Sequence, residues 1–494
     1  MRKRRIITMA IGILLCVSAL LTSCLNAFAA GKSVGAYKLN TYDNRGSDAA
    51  NFYNHVKGYD SAYTGHYKEW GDVQSSHFSN KTQTIKYWSS HGTKQGRVYG
   101  DNIPNSNAEH TIYDGFKFSG GNLEFVFLCA CYQLTGEGSN PRAKYAKSMT
   151  GNKAVRVICG YHEKAPRLAD TLVESYFFNN PAQGSNDVYD GESVKSSWMK
   201  ANIRAYSVDG YTNPKDFLVL THNNNSQYSR FEGFPGATYS RPNSSTSILR
   251  FSWANQGGVS QPYTKSGSES PSEETAILKG MEIPTVALQM ERIGVVRRDD
   301  IGGEIGHSPI RLTVEEAVQN ANDLLVDANQ VLSVNADVTK KEKNTPVVSE
   351  IVMAEVLDDS SKEIESTVAY VVDYSNRYKG VKIAGDTFTT IVDDAGIKYC
   401  IFDWHKVIDV VDIRERDKAT VSYDEAYSML QEMTGVDARK MTKSDAEYRT
   451  TLLSANLEYV DLEKSGLYRP MWVFEMSDSA KYYIDCNNGW SVSK

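Results

Sequence analysis

Leu123-Glu124-Phe125-Val126-Phe127-Leu128-Cys129-Ala130-Cys131 decides how this chain is read. The run is apolar almost without interruption, which suits a strand buried on both faces of a parallel sheet. It ends on small residues and a thiol. Forty residues earlier, Ile85-Lys86-Tyr87-Trp88-Ser89-Ser90-His91-Gly92 has a similar form, an apolar run that delivers a histidine and a glycine at its carboxyl end. Ala154–Cys159 is a third apolar run. Working outward, Gly35–Tyr42, Thr84–Ser89 and Phe217–Thr221 complete a set of strands, and Asp48–Val56, Leu168–Phe178 and Val194–Tyr206 have helical spacing. Alternating strands and helices predict an α/β domain, mainly a parallel sheet with helices on both faces.

In an open parallel sheet, ligands bind beyond the carboxyl ends of the strands, so His91 and Cys131 are expected at one rim. A thiol needs a neighbouring imidazole to become a nucleophile at neutral pH. The oxyanion formed on attack needs backbone donors, for which Gly92 and Cys131 are the candidates. Cys129 and Cys131 share one strand face. Cys131 is the expected nucleophile because it stands at the strand end and follows Ala130, and Cys129 is left to line the cleft. His162 and Glu163, after the third run, belong to the same rim. Asp170 and Glu174 offer carboxylates for a pocket that takes a basic side chain. His55, His66 and His77 read as surface histidines. The plainer alternative is that His91-Gly92 is an ordinary turn and both cysteines are small core hydrophobes.

The order strand–His91–Gly92, then strand–Ala130–Cys131, resembles the caspase-like fold of gingipains, legumains, clostripains and metacaspases. The resemblance covers residues 33–225. It implies a His91–Cys131 dyad in a cysteine endopeptidase acting on protein or peptide substrates. It equally allows a non-catalytic cell-envelope protein that keeps the fold as a binding surface.

The ends of the chain carry different signals. Arg2, Lys3, Arg4 and Arg5 precede an uncharged apolar run from Ile6 to Leu21, a secretory signal over residues 1–29. Two processing routes stay open: cleavage after Ala27-Phe28-Ala29, or lipidation of Cys24 in Leu21-Thr22-Ser23-Cys24. Either places the body outside the cytoplasm, touching the membrane only through the signal or a lipid. Five cysteines remain after the signal, scattered and odd in number, which is no disulfide framework.

Residues 256–275, rich in Gly, Ser, Pro and Glu, read as a linker after a domain at 31–255. Beyond it lie an expected degenerate α+β repeat (276–415) and a second copy (416–494). Leu312-Thr313-Val314-Glu315-Glu316-Ala317 aligns with Val421-Ser422-Tyr423-Asp424-Glu425-Ala426, and each contains a capping box that opens an amphipathic helix. The turns at Asp393-Asp394-Ala395-Gly396 and Asp485-Cys486-Asn487-Asn488-Gly489 correspond. With Pro470 and Trp472-Val473-Phe474, the second copy resembles a PepSY-type domain, which implies a non-catalytic regulatory module.

Once the four basic residues of the signal are removed, 50 basic residues face 60 acidic ones. The excess of acid lies after residue 255, while residues 31–255 are net basic. That argues against nucleic acid as a partner and allows the acidic half to dock on the basic one. Neither a Walker phosphate loop nor a dinucleotide fingerprint is present, and Cys129 and Cys131 lack zinc-site spacing. The reading therefore implies no cofactor and no metal.

Overall fold

The computed structural model describes residues 32–39, 48–69, 72–73, 77, 82–93, 96–99, 110–111, 122–136, 140–151, 155–162, 165, 170–180, 182, 187–209, 217–222, 230–232, 234–235, 237, 247–254, 278–292, 301–332, 346–356, 363–413, 420–434, 452–476 and 480–493. The signal segment with Cys24, the 256–275 linker and Glu163 lie outside them. The class is α/β. By contacts the chain forms two compact units, one of residues up to Ala165 with Leu218–Leu249 and Val356–Lys362, the other of Pro166–Phe217, Arg250–Glu355 and Glu363–Lys494. Residues 166–217, which the sequence reading kept within 31–255, thus group with the second unit.

In the first unit, β1 (Ser33–Lys38) lies between β2 (Thr64–Glu69) and β3 (Ile85–Ser89), parallel to both. Next come β7 (Phe125–Cys129) beside β3 and β8 (Val157–Tyr161) beside β7, again parallel. β4 (His91–Gly92), β5 (Arg97–Tyr99) and β6 (His110–Thr111) make a separate small antiparallel sheet. Near the start of β8, β9 (Phe217–His222) brings its Thr221 and His222 side chains to the carbonyls of Arg156 and Val155.

Both faces of the parallel sheet are covered, which explains the continuous apolar runs. Helix α1 (Asp48–Tyr59) buries Ala49, Phe52 and Val56, spaced three and four apart along one stripe. Phe52 packs on Tyr87 and Phe127, with ring centroids 4.5 and 4.8 Å away. On the other face Trp88, Val126 and Leu128 join Tyr145 and Met149 of α2 (Pro141–Gly151) in one core. Each large side chain so buried contributes about 1.5–3 kcal/mol. Strand β2, Thr-Gly-His-Tyr-Lys-Glu, was not expected. It contains no buried residue and reads as polar because it sits at an edge of the described sheet.

The second unit begins with α3 (Asp170–Phe178) and α4 (Val194–Asp209) and continues into antiparallel sheet. The chain from Ile301 to Thr313 has no regular structure, yet Ile305 is fully buried. Its Glu304 carboxylate accepts from the backbone and hydroxyl of Ser193 and from the Ser196 hydroxyl, at the start of α4. Lys195 donates to the Ile305 carbonyl at 2.6 Å, and Lys200 pairs with Glu192 at 2.5 Å, both ends of that pair being buried.

The duplicated plan is present in the bonds themselves. Helix α5 (Val314–Leu332) precedes the meander β12 (Val347–Glu355), β13 (Glu365–Tyr378), β14 (Val381–Asp393) and β15 (Gly396–Asp403). Helix α6 (Tyr423–Thr434) precedes β17 (Leu452–Val460), β18 (Leu467–Met476), β19 (Lys481–Asp485) and β20 (Ser491–Ser493). Thr313 and Glu316 exchange both capping-box bonds, and Ser422 and Glu425 do the same. Asp393 accepts from the Ala395 N–H and Asp485 from the Asn487 N–H, each at 2.8 Å, giving the same turn in both copies. The parallel pair β14–β17 joins the copies. A ribbon of β11 (Val286–Arg292) with β16 (His405–Asp412) has no counterpart in the repeat and was not expected.

Candidate active site

Strands β3 and β7 lead to the two candidate residues, and they lie side by side and parallel. Ser89 stands opposite Cys129, and the Ser90 N–H donates to the Cys129 carbonyl at 3.2 Å, so the pairing continues past the end of β3. In a parallel pair, residues at one level face the same side of the sheet. Tyr87 and Phe127 show this directly, their ring centroids 6.0 Å apart. Strand β3 ends at Ser89 and β7 at Cys129, and each chain runs on from there to His91 and Cys131, beyond the carboxyl ends of two adjacent strands.

An independent contact brings the same two segments together. A Cβ built on Gly92 would lie 1.9 Å from the Cys131 carbonyl oxygen, 2.8 Å from its carbon and 2.9 Å from its nitrogen. All three are backbone atoms, which cannot swing aside, so only glycine fits. The glycine after His91 is therefore explained by close approach to the Cys131 backbone. His91, Gly92 and Cys131 are all partly exposed.

Cys131 opens a tight turn. Tyr132 adopts φ 60°, a conformation that bulky residues avoid and that costs about 1–2 kcal/mol. The Thr135 N–H returns to the Tyr132 carbonyl, and the Leu134 N–H ties the turn to the Tyr161 carbonyl of β8. Fully buried Gln133 donates from Nε2 to the Cys131 carbonyl at 3.3 Å. Gln133 thus fixes the carbonyl that Gly92 abuts, and nothing in the sequence around it announces that role.

The remaining candidates separate clearly. Cys129 is 2% exposed and Cys159 fully buried, and burial pushes the Cys159 thiol well above its usual range. All five described cysteines are unbridged, and Cys131 alone among them is partly exposed. Leu128 opposes Gly160, and His162, just past the end of β8, is partly exposed. Glu174 is 1% exposed, and the Asp170 side chain lies outside the described set.

His66 and His77 are more engaged than surface residues. The His66 Nε2 lies 3.1 Å from the Tyr37 hydroxyl, and that hydroxyl donates to Gln83 Oε1 at 2.7 Å. The rings of His66 and His77 are 5.4 Å apart, and burial lowers both pKa values. By register His66 and Tyr37 share a face with Lys86 and Trp88, and the His77 ring lies 5.3 Å from that of Tyr37. Among the described residues, no group of three or more His, Cys, Asp or Glu side chains is placed to hold a metal ion.

No family model matches the chain, and no curated protein matches it.

Proposed function

We propose that this chain is an exported cysteine endopeptidase of the caspase-like type, with His91 as base and Cys131 as nucleophile on protein or peptide substrates. The observation that carries the reading is the seating of Gly92 against the Cys131 backbone, just beyond the carboxyl ends of the adjacent parallel strands β3 and β7. In the proposed step, the Cys131 thiol gives its proton to the His91 imidazole and the thiolate adds to a peptide carbonyl. The oxygen of that carbonyl is received by the N–H groups of Gly92 and Cys131. The imidazolium then protonates the leaving amine, and water hydrolyses the thioester.

The partial exposure of both side chains supports a working site rather than a relict, whose groups have no reason to stay open. The two helix-plus-meander copies are proposed as PepSY-like modules that regulate the peptidase. Export by the 1–29 signal, with or without lipid on Cys24, remains part of the same proposal. The test is labelling of the purified mature protein with an irreversible thiol-directed peptidyl probe. Modification at Cys131 that is lost in His91→Ala supports the reading, and labelling that ignores His91 overturns it.

A further inference from the structure

The turn that follows Cys131 is held against its own preference. Tyr132 stands at φ 60° with a bulky side chain. A half-turn of the Cys131–Tyr132 peptide would bring that φ to about −120°, in the open β region. The same half-turn would reverse the Cys131 carbonyl, because the C=O and N–H of one planar peptide move together. The carbonyl oxygen is engaged where it stands. The Gln133 Nε2 donates to it at 3.3 Å, and the Gly92 backbone lies against it. Gln133 is fully buried, so this bond meets no competition from bulk water.

The turn is anchored on both sides. Strand β7 ends at Cys129, and the Leu134 N–H is bonded to the Tyr161 carbonyl at 3.0 Å. Between those anchors the Gln133 amide grips the carbonyl of the proposed nucleophile itself. The carbonyl carbon and the Cβ that bears the thiol share the Cys131 Cα, so reversing the peptide changes what stands beside the sulfur. An oxygen that accepts an amide N–H also opposes a thiolate and a developing oxyanion less than a bare one does.

We infer that Gln133 is a positioning residue for Cys131: its amide holds the Cys131–Tyr132 peptide in the left-handed turn and so keeps the nucleophile set for attack. The inference rests on the peptidase reading for its use, while the hold on the peptide is tested without it.

Cys131-Tyr132 is the sole Cys–Tyr pair in the chain. Mature protein made with carbonyl-13C cysteine and 15N tyrosine therefore gives one carbonyl–nitrogen correlation, from this peptide. Gln133→Met keeps the length of the side chain and removes the donor, and the correlation should move or split. The limiting rate of labelling by the peptidyl probe should fall about tenfold, with the half-saturating concentration unchanged to about twofold. Adding Tyr132→Gly lets residue 132 hold φ 60° unaided, and should restore the rate by about threefold or more. A merely structural Gln133 predicts the reverse, since glycine in the turn frees the unfolded chain and weakens the fold further. An unmoved correlation, a Gln133→Met rate within about twofold of wild type, or a double variant no faster than the single each overturns the inference. If wild-type labelling ignores His91 while the correlation moves in Gln133→Met, the peptidase reading fails and the hold on the peptide stands. If labelling depends on His91 and Gln133→Met changes neither readout, only the Gln133 inference fails. Should Gln133→Met not fold, Gln133→Leu, which also lacks a donor, is measured against the same outcomes.

Discussion

Gly92→Ala tests the site by adding one carbon atom. That carbon would start 1.9 Å from the Cys131 carbonyl oxygen. Ordinary contact begins near 3.4 Å, so β4 and the Cys131 turn must part by roughly 1.5 Å. Neither side yields easily. The Gln133 amide holds the same carbonyl, and the Leu134 N–H anchors the turn to Tyr161. Forced overpacking of this kind costs about 1–3 kcal/mol. A displacement above 1 Å at reacting groups lowers rates by about 10²-fold or more. Gly58, in the last turn of α1, is the matched control, since a Cβ there meets nothing within 4 Å. Gly58→Ala should stabilise by about 0.5–1 kcal/mol through helix propensity. Urea unfolding and the rate of probe labelling at Cys131 measure both variants. A folded Gly92→Ala protein that labels like wild type would refute the placement of Gly92 against Cys131, and the dyad geometry with it.

Three further outcomes follow from burial and charge. Native protein treated with iodoacetamide should be modified at Cys131, while Cys129, Cys159, Cys400 and Cys486 react only after denaturation, since all four are buried. Early modification at Cys129 would place the thiols wrongly. Lys200→Met should cost about 3–5 kcal/mol by stranding Glu192, and adding Glu192→Leu should recover most of it. Equal stability of the single and double variants in urea would show that the pair is not buried as found. His405, bonded through Nδ1 to buried Asp386 at 2.6 Å, has its pKa raised by that carboxylate against the opposing effect of its own burial. Its folded pKa exceeds the unfolded value of about 6.5, so the stability it contributes is complete below that pH and is lost as pH rises through the folded pKa. The unfolding free-energy gap between wild type and His405→Gln should therefore narrow from pH 5.5 to pH 8.5, and a gap that widens would reverse the assignment.

How much of this was legible in the sequence depends on where each residue's partners lie. The apolar runs at 85–89, 125–129 and 157–161 could be read because burial on both faces leaves a continuous signature. The α1 stripe and the two capping boxes could be read because their partners lie within four residues. Strand β2 and the small sheet β4–β5–β6 could not, the first because an edge strand stays polar and the second because two- and three-residue strands carry no periodicity. Gln133 was invisible for another reason: it acts through one bond, to the Cys131 carbonyl, and a single glutamine carries no pattern. The strap from Ile301 to Thr313 was missed because its order comes from Ser193, Ser196 and Lys195, more than a hundred residues away.

The duplication illustrates why bonds outlast sequence. In the first copy, the Asp394 carboxylate of the β14–β15 turn accepts from the Arg311 and Leu312 N–H groups, just ahead of the Thr313 cap. In the second, the Cys486 carbonyl of the β19–β20 turn accepts from the Val421 N–H, just ahead of the Ser422 cap. A side chain does the work once and a backbone oxygen the other time, yet both tie a hairpin turn to the residue before a helix. Helix N-termini and buried turns each have polar backbone groups that must be satisfied. In the second copy the junction satisfies a turn carbonyl and the backbone N–H ahead of the cap at once, while in the first a carboxylate of the turn takes the N–H groups. That requirement constrains the position of the turn far more than the identity of its residues. The Trp472 indole, which donates to the Val421 carbonyl at 2.8 Å, adds a third contact at this junction in the second copy. Loss of that bond in Trp472→Phe should cost about 1–2 kcal/mol in urea unfolding, and a smaller cost than that of Ser422→Ala would show that the cap, not the junction, carries the helix.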